Sequence, residues 1–152
     1  MDRLSTAING GGVPALRRRT RAPRGDTAEF SVLVVDSESL IRWSLSETLR
    51  DCGVLVQTAN DHQSAIAIVA TSTHPFDLIL FDWHLLSVSE WAQLQRLVEM
   101  SPSSAIVVMM AFPTAELESE ALRLGASAVL RKPFELEHVT ALVRELVEPR
   151  TC

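Results

Sequence analysis

Cysteine is scarce in this chain: there are two, Cys52 and Cys152, and the second is the last residue. So few cysteines argue against a disulfide framework, and neither has the paired spacing of a zinc site, so a reducing compartment is expected. Long apolar runs are missing too. None approaches the roughly 18–20 residues that span a bilayer. The N-terminus lacks a secretory h-region, because its apolar residues are scattered among Gly and Arg. These absences exclude a membrane span and point to the cytoplasm. Positive charge is in short supply outside one end. Residues 1–28 hold six arginines (Arg3, Arg17, Arg18, Arg19, Arg21, Arg24) against Asp2 and Asp26, a net +4, and the remainder carries a net −9, giving −5 overall. An acidic body argues against nucleic-acid binding by the domain itself.

What is present is enough for one domain and a tail. The chain has 152 residues, of which 47% are hydrophobic and 22% charged, a composition that can bury a core and keep a polar surface. Residues 1–28 contain Gly10-Gly11-Gly12, Pro14, Pro23 and Gly25 with almost no hydrophobic periodicity, and read as a disordered tail. Either the tail is a solvated leader, or its arginines form an anion-binding arm. The domain is expected over 29–149, with 150–152 a short C-terminal tail.

From residue 31 the pattern is regular. Val32-Leu33-Val34-Val35 is a continuous β-branched and apolar run ending at Asp36, as a buried parallel strand reads. Leu40, Ile41, Leu45, Leu49 and Cys52 recur at helical spacing until Gly53. Residues 54–58 suit an edge strand and 61–72 a second helix. Leu78-Ile79-Leu80-Phe81 is a second fully apolar strand, ending at Asp82. A helix over about 89–100, a strand over 106–110, a helix from Pro113-Thr114 to Gly125, a strand over 128–130 and a helix after Pro133 complete the pattern. Five consecutive βα units predict an α/β fold, a doubly wound five-stranded parallel sheet with helices on both faces.

In such a sheet, ligands bind beyond the carboxyl ends of the strands, where strand order reverses. For the order 2-1-3-4-5 that crevice lies between the first and third strands, which end in Asp36 and Asp82. The fifth strand ends at Arg131-Lys132-Pro133 beside the same edge and adds a cation.

The pieces VLVVDSESLIRWSLSETLRDCG, DLILFDW, the apolar fourth strand ending Met110-Ala111, and LRLGASAVLRKPF resemble, in order, the receiver domain of two-component response regulators. The resemblance covers about residues 31–148, and Leu40-Ile41-Arg42-Trp43 looks most like the nitrogen-regulation branch. It implies a flavodoxin-like (βα)5 receiver fold, and a protein that is not an enzyme but a phosphorelay component. It implies that Asp82 accepts a phosphoryl group from a sensor histidine kinase or phosphotransfer protein. It implies Mg2+ held by Asp36, Asp82 and the backbone carbonyl of His84, with Lys132 contacting the phosphoryl group. It also implies a cis Lys132–Pro133 bond that aims the ammonium at Asp82. A homodimer and an unidentified downstream protein partner stay open.

The chain departs from the family at several positions. Ser37 stands where the family has a second acid that touches the metal. A neutral hydroxyl is a poorer ligand for a hard cation, so the Mg2+ site should be weakened, with Glu38 the candidate to compensate. Met110 replaces the Thr or Ser at the end of the fourth strand and has no donor. Val129 replaces the switch aromatic of the fifth strand. After the acceptor, Leu86 and Glu90 replace the usual Pro and Gly. The site acids, taken singly, also read as helix caps.

Two functions therefore compete: a single-domain response regulator phosphorylated on Asp82, and a degenerate receiver used as a protein-interaction module without phosphate. A flavodoxin-like flavin carrier is disfavoured, because Asp36-Ser37-Glu38 would repel phosphate in the absence of a metal. No effector domain follows residue 149, so the chain reads as a stand-alone regulator or a fragment.

Overall fold

The computed structural model describes residues 7–8, 29–83 and 89–146. The strands are β1 (Ala7–Ile8), β2 (Ser31–Val35), β3 (Leu55–Ala59), β4 (Leu78–Asp82), β5 (Ala105–Met110) and β6 (Ala128–Arg131). The helices are α1 (Ser39–Asp51), α2 (His62–Thr71), α3 (Ser89–Met100), α4 (Ala115–Arg123) and α5 (Leu136–Leu146).

All strand pairs are parallel, and the order across the sheet is β1-β6-β5-β4-β2-β3. Without β1 this is the expected five-stranded 2-1-3-4-5 arrangement. Alternation along the strands deals side chains to two apolar layers. Val32, Val34, Leu78, Leu80, Val107, Met109 and Leu130 pack with Leu45, Leu49, Val139 and Leu142 of α1 and α5. Leu33, Val35, Ile79, Phe81, Ile106, Val108, Met110 and Val129 pack with Ala65, Ile66, Leu94, Leu97 and Ala121 of α2, α3 and α4. Strands covered on both faces have no polar side to show, hence their continuous apolar spelling. β3, at the sheet margin, is mostly exposed.

The structure corrects the sequence reading at three points. Ala7 pairs with Val129 and Ile8 with Leu130, a two-residue strand within the stretch expected to be disordered. It covers the edge that β6 would otherwise leave open, and backbone pairing of this kind requires no side-chain periodicity. The rest of 1–28, and residues 147–152, lie outside the described residues. Second, Leu40 and Trp43 are exposed at 70% and 62%, so Leu40 does not share the buried stripe of Leu45 and Leu49. Third, Cys52 is disulfide-bonded. It sits in the layer between α1 and α5, which is a matter of tertiary proximity that cysteine count does not register. Cys152, the other cysteine of the chain, lies outside the described residues.

Local signals held elsewhere. Asp61 caps α2 by accepting from the Ser64 amide at 2.7 Å, and Thr114 caps α4 by accepting from the Leu117 amide at 3.1 Å. Gly125 has φ +120°, and a β-carbon there would lie 2.6 Å from Val98 Cγ1, so only glycine suits both the backbone and the space. Among the described residues no helix is long and apolar enough to cross a membrane.

Candidate functional site

The carboxyl ends of β2, β4 and β6 converge because the sheet ladder continues past them. The Asp36 amide bonds the Ala59 carbonyl at 3.1 Å, the Trp83 amide the Met109 carbonyl at 2.8 Å, and the Lys132 amide the Met110 carbonyl at 2.7 Å. Asp36, Asp82 and Lys132 are thus fixed by backbone before any side chain makes contact. The Lys132–Pro133 bond is cis, as the resemblance implied.

Lys132 Nζ lies 2.8 Å from Asp36 Oδ2 and 2.9 Å from Asp82 Oδ1, with Glu38 Oε1 farther off at 3.8 Å. Both aspartates are buried, whereas the Glu38 side chain is largely exposed. Burial pulls the Lys132 pKa down, but the hydrogen bonds and charges of Asp36 and Asp82 more than reverse this and hold it above the usual 10.5. Lys132 is the sole lysine of the chain; every other strong cation is an arginine.

Asp36 is not a helix cap in the usual sense. The N-cap of α1 is Glu38, which makes no side-chain cap bond. Asp36 Oδ1 accepts from the Glu38 amide at 2.9 Å, and the Asp36 carbonyl accepts from Arg42 at 2.7 Å. Asp36 and Asp82 line a cavity of about 150 Å³ with Val35, Ser37, Asn60, Asp61, His62 and Glu90. His84 lies outside the described residues, so its carbonyl is not placed. Met110 and Val129 are fully buried in one apolar layer and bring neither hydroxyl nor aromatic ring to the site.

The donor set bears on Mg2+. Two carboxylates converge on one cavity, which suits a hard cation. Ser37 is exposed and neutral, and the described residues contain no cluster of three His, Cys, Asp or Glu able to hold a metal. Lys132 already supplies a positive charge between the Asp36 and Asp82 carboxylates.

Two features escaped the sequence reading. His62, the first residue of α2, sets Nε2 2.7 Å from the Asp82 carbonyl and Nδ1 2.5 Å from Glu90 Oε1. The signal for it was Glu90, already noted as standing where the family carries glycine. The second is an apolar groove of about 450 Å³ beside Lys132, walled by Leu40, Ile41, Leu45, Phe112, Pro133 and Phe134 among others. The exposure of Leu40 and of Phe112, at 79%, has its place there.

Residues 32–144 match the model of the response regulator receiver domain. The chain is 28% identical over 116 residues to the DNA-binding transcriptional regulator NtrC of Salmonella typhimurium, covering 76% of this chain and 24% of that protein. It is 32% identical over 124 residues to the probable transcriptional regulatory protein TcrX of Mycobacterium tuberculosis, covering 82% and 52%. The chain thus spans about a quarter to a half of the length of these curated relatives. Among solved structures it superposes on the chemotaxis protein CheY4 of Vibrio cholerae with a TM-score of 0.69 at 27% identity, covering 79% of this chain and all of that one.

Proposed function

This chain belongs to the response regulator receiver domain family, and on that footing we propose that it accepts a phosphoryl group on Asp82 from a sensor histidine kinase or a phosphotransfer protein of the cytoplasm. The observation that carries the proposal is the pairing of the buried Asp82 carboxylate with Lys132 at 2.9 Å, beside the second buried acid Asp36. A carboxylate is a nucleophile toward phosphorus once the repulsion between negative charges is offset. An Asp82 oxygen attacks the phosphorus of the donor phosphohistidine. The P–N bond breaks, the imidazole leaves with its electron pair and takes up a proton, and an acyl phosphate forms on Asp82.

Lys132 sits where its ammonium can follow the charge from carboxylate to phosphoryl oxygen. Asp36, Asp82 and the carbonyl of His84 are the groups that would hold Mg2+, with Glu38 a further candidate; when bound, the ion neutralises phosphoryl oxygens. The groove walled by Leu40, Ile41, Phe112 and Phe134 adjoins Lys132 and suits an apolar helix face of the histidine donor. The Leu40-Ile41-Arg42-Trp43 stretch supports descent from the nitrogen-regulation branch. The test is intact mass after exposure to acetyl phosphate and Mg2+. One phosphoryl increment on the parent chain and none on Asp82→Asn supports the reading; no increment on the parent overturns it.

A second reading has its own observation. Met110 and Val129 are both fully buried in the α2–α3–α4 layer. Neither the hydroxyl that would grip a phosphoryl oxygen nor the ring that would turn inward is available. We therefore propose that the domain is partly degenerate, its interaction surface changing little with phosphorylation.

A further inference from the structure

His62 contacts both sides of the loop that follows the phosphoacceptor. Its Nε2 is 2.7 Å from the carbonyl oxygen of Asp82, before the loop, and its Nδ1 is 2.5 Å from Oε1 of Glu90, after it. Both side chains are nearly buried, at 11% and 12% exposure. The ring also stacks on Phe81, with centroids 4.2 Å apart and planes 17° off parallel. Phe81 is itself fully enclosed in the sheet layer, so the ring has one face held and both nitrogens engaged.

The chemistry of the partners sets the hydrogens. A carbonyl only accepts, so Nε2 carries a hydrogen and donates it to Asp82. The other nitrogen, Nδ1, lies 2.5 Å from Glu90 Oε1. Glu90 Oε1 is buried without a hydrogen-bond partner among the described residues, and His62 Nδ1 is the charged or polar group it closely approaches. Its placement is therefore explained by orienting His62. This is the carboxylate–imidazole pattern by which an outer acid fixes the ring that touches a site.

Resting on the acceptor reading above, we propose that His62 is a positioning residue for phosphoryl acceptance at Asp82, oriented by Glu90. It acts on the backbone from which the nucleophilic carboxylate projects. The hydrogen bond holds the Asp82 peptide plane. The contact with Glu90 ties the first turn of α3 back to the same point. His62 and Glu90 also wall the cavity that Asp36 and Asp82 face. A glycine at position 90, as in the family, has no side chain to make this tie, so the arrangement is a property of this chain. Small losses of alignment at a nucleophile cost rate steeply.

The experiment measures the rate at which acetyl phosphate labels Asp82 in the full chain, by intact mass, in the parent, His62→Ala, His62→Gln and Glu90→Gln. His62→Ala should label about tenfold more slowly, the effect expected from losing one well-placed hydrogen bond. His62→Gln keeps an N–H donor within reach of the carbonyl and should recover most of the rate; Glu90→Gln, which keeps an acceptor, should stay near the parent. The backbone 15N shift of Trp83, whose amide shares the peptide group with the Asp82 carbonyl, should move in His62→Ala and return in His62→Gln. His62→Ala labelling at the parental rate would overturn the positioning role alone. Equal slowing in folded His62→Ala and His62→Gln would overturn it as well. A parent chain that takes no label would instead overturn the acceptor reading, and this inference with it.

Discussion

Lys132 Nζ lies 2.9 Å from Asp82 Oδ1 across 50 residues of sequence, and the same ammonium reaches Asp36 Oδ2 at 2.8 Å across 96. One cation thus joins the ends of three parallel strands at the point where strand order reverses. Two acids that would repel each other if left alone are buried side by side because that cation lies between them.

The alkaline limit of stability should report this contact. Burial lowers the Lys132 pKa and the bonds to Asp36 and Asp82 raise it further, leaving it above 10.5. A cation whose folded pKa exceeds its unfolded value contributes stability that is fully present below about pH 10.5 and is lost as pH climbs through the folded value. The chain has no tyrosine and no other lysine, and Cys52 is disulfide-bonded, so among the described residues no other side chain titrates between about pH 9.5 and 12. The urea midpoint should hold steady to about pH 10 and then fall, and Lys132→Met should remove that fall. Parallel curves for the two proteins would place the ammonium in solvent.

Gly125→Ala should destabilise the fold by about 1–3 kcal/mol, the usual cost of forcing a side chain into this backbone region. Its φ is +120°, and the added carbon would meet Val98 Cγ1 at 2.6 Å. Val98→Ala in the same chain should relieve the contact and leave the backbone cost. Denaturant unfolding of the single and double variants separates the two parts.

Ser37→Asp should strengthen Mg2+ binding, since it adds a carboxylate beside Asp36 at the mouth of the cavity. Trp83 is buried next to Asp82 and packs edge-on against Trp91, with ring centroids 4.3 Å apart. Its fluorescence should therefore follow the titration. An unchanged affinity would mean that Glu38 already fills that role.

Amide exchange over residues 110–131 should change little when a beryllofluoride mimic occupies Asp82. Met110 offers the mimic no hydroxyl, and an equilibrium shifts only by differential interaction with its two states. Strong protection changes in a sample shown to bind the mimic would mean that another contact carries the response.

How much of this was legible in the sequence differs from residue to residue. Val32–Val35, Leu78–Phe81 and Ile106–Met110 spelled buried strands because both of their faces are covered. Once those strands were ordered, Asp36, Asp82 and Lys132 followed from topology. What the spelling did not carry was contact between elements. His62 reads as an ordinary helix-start residue until α3 brings Glu90 against it. Leu40 fits the helical spacing of Leu45 and Leu49 yet lies in an open groove. The pairing of Ala7–Ile8 with β6 is made by backbone, so no pattern of side chains announces it.

The most direct measurement on the central claim is chemical mapping of the phosphoryl group. After treatment with acetyl phosphate, borohydride reduction converts an aspartyl phosphate to homoserine, which peptide mass spectrometry can place. Homoserine at position 82 alone, abolished by Asp82→Asn and diminished by Lys132→Met, is the predicted result. Homoserine at Asp36 or another acid, or none anywhere in a folded sample, would contradict the assignment of Asp82 as the phosphoacceptor.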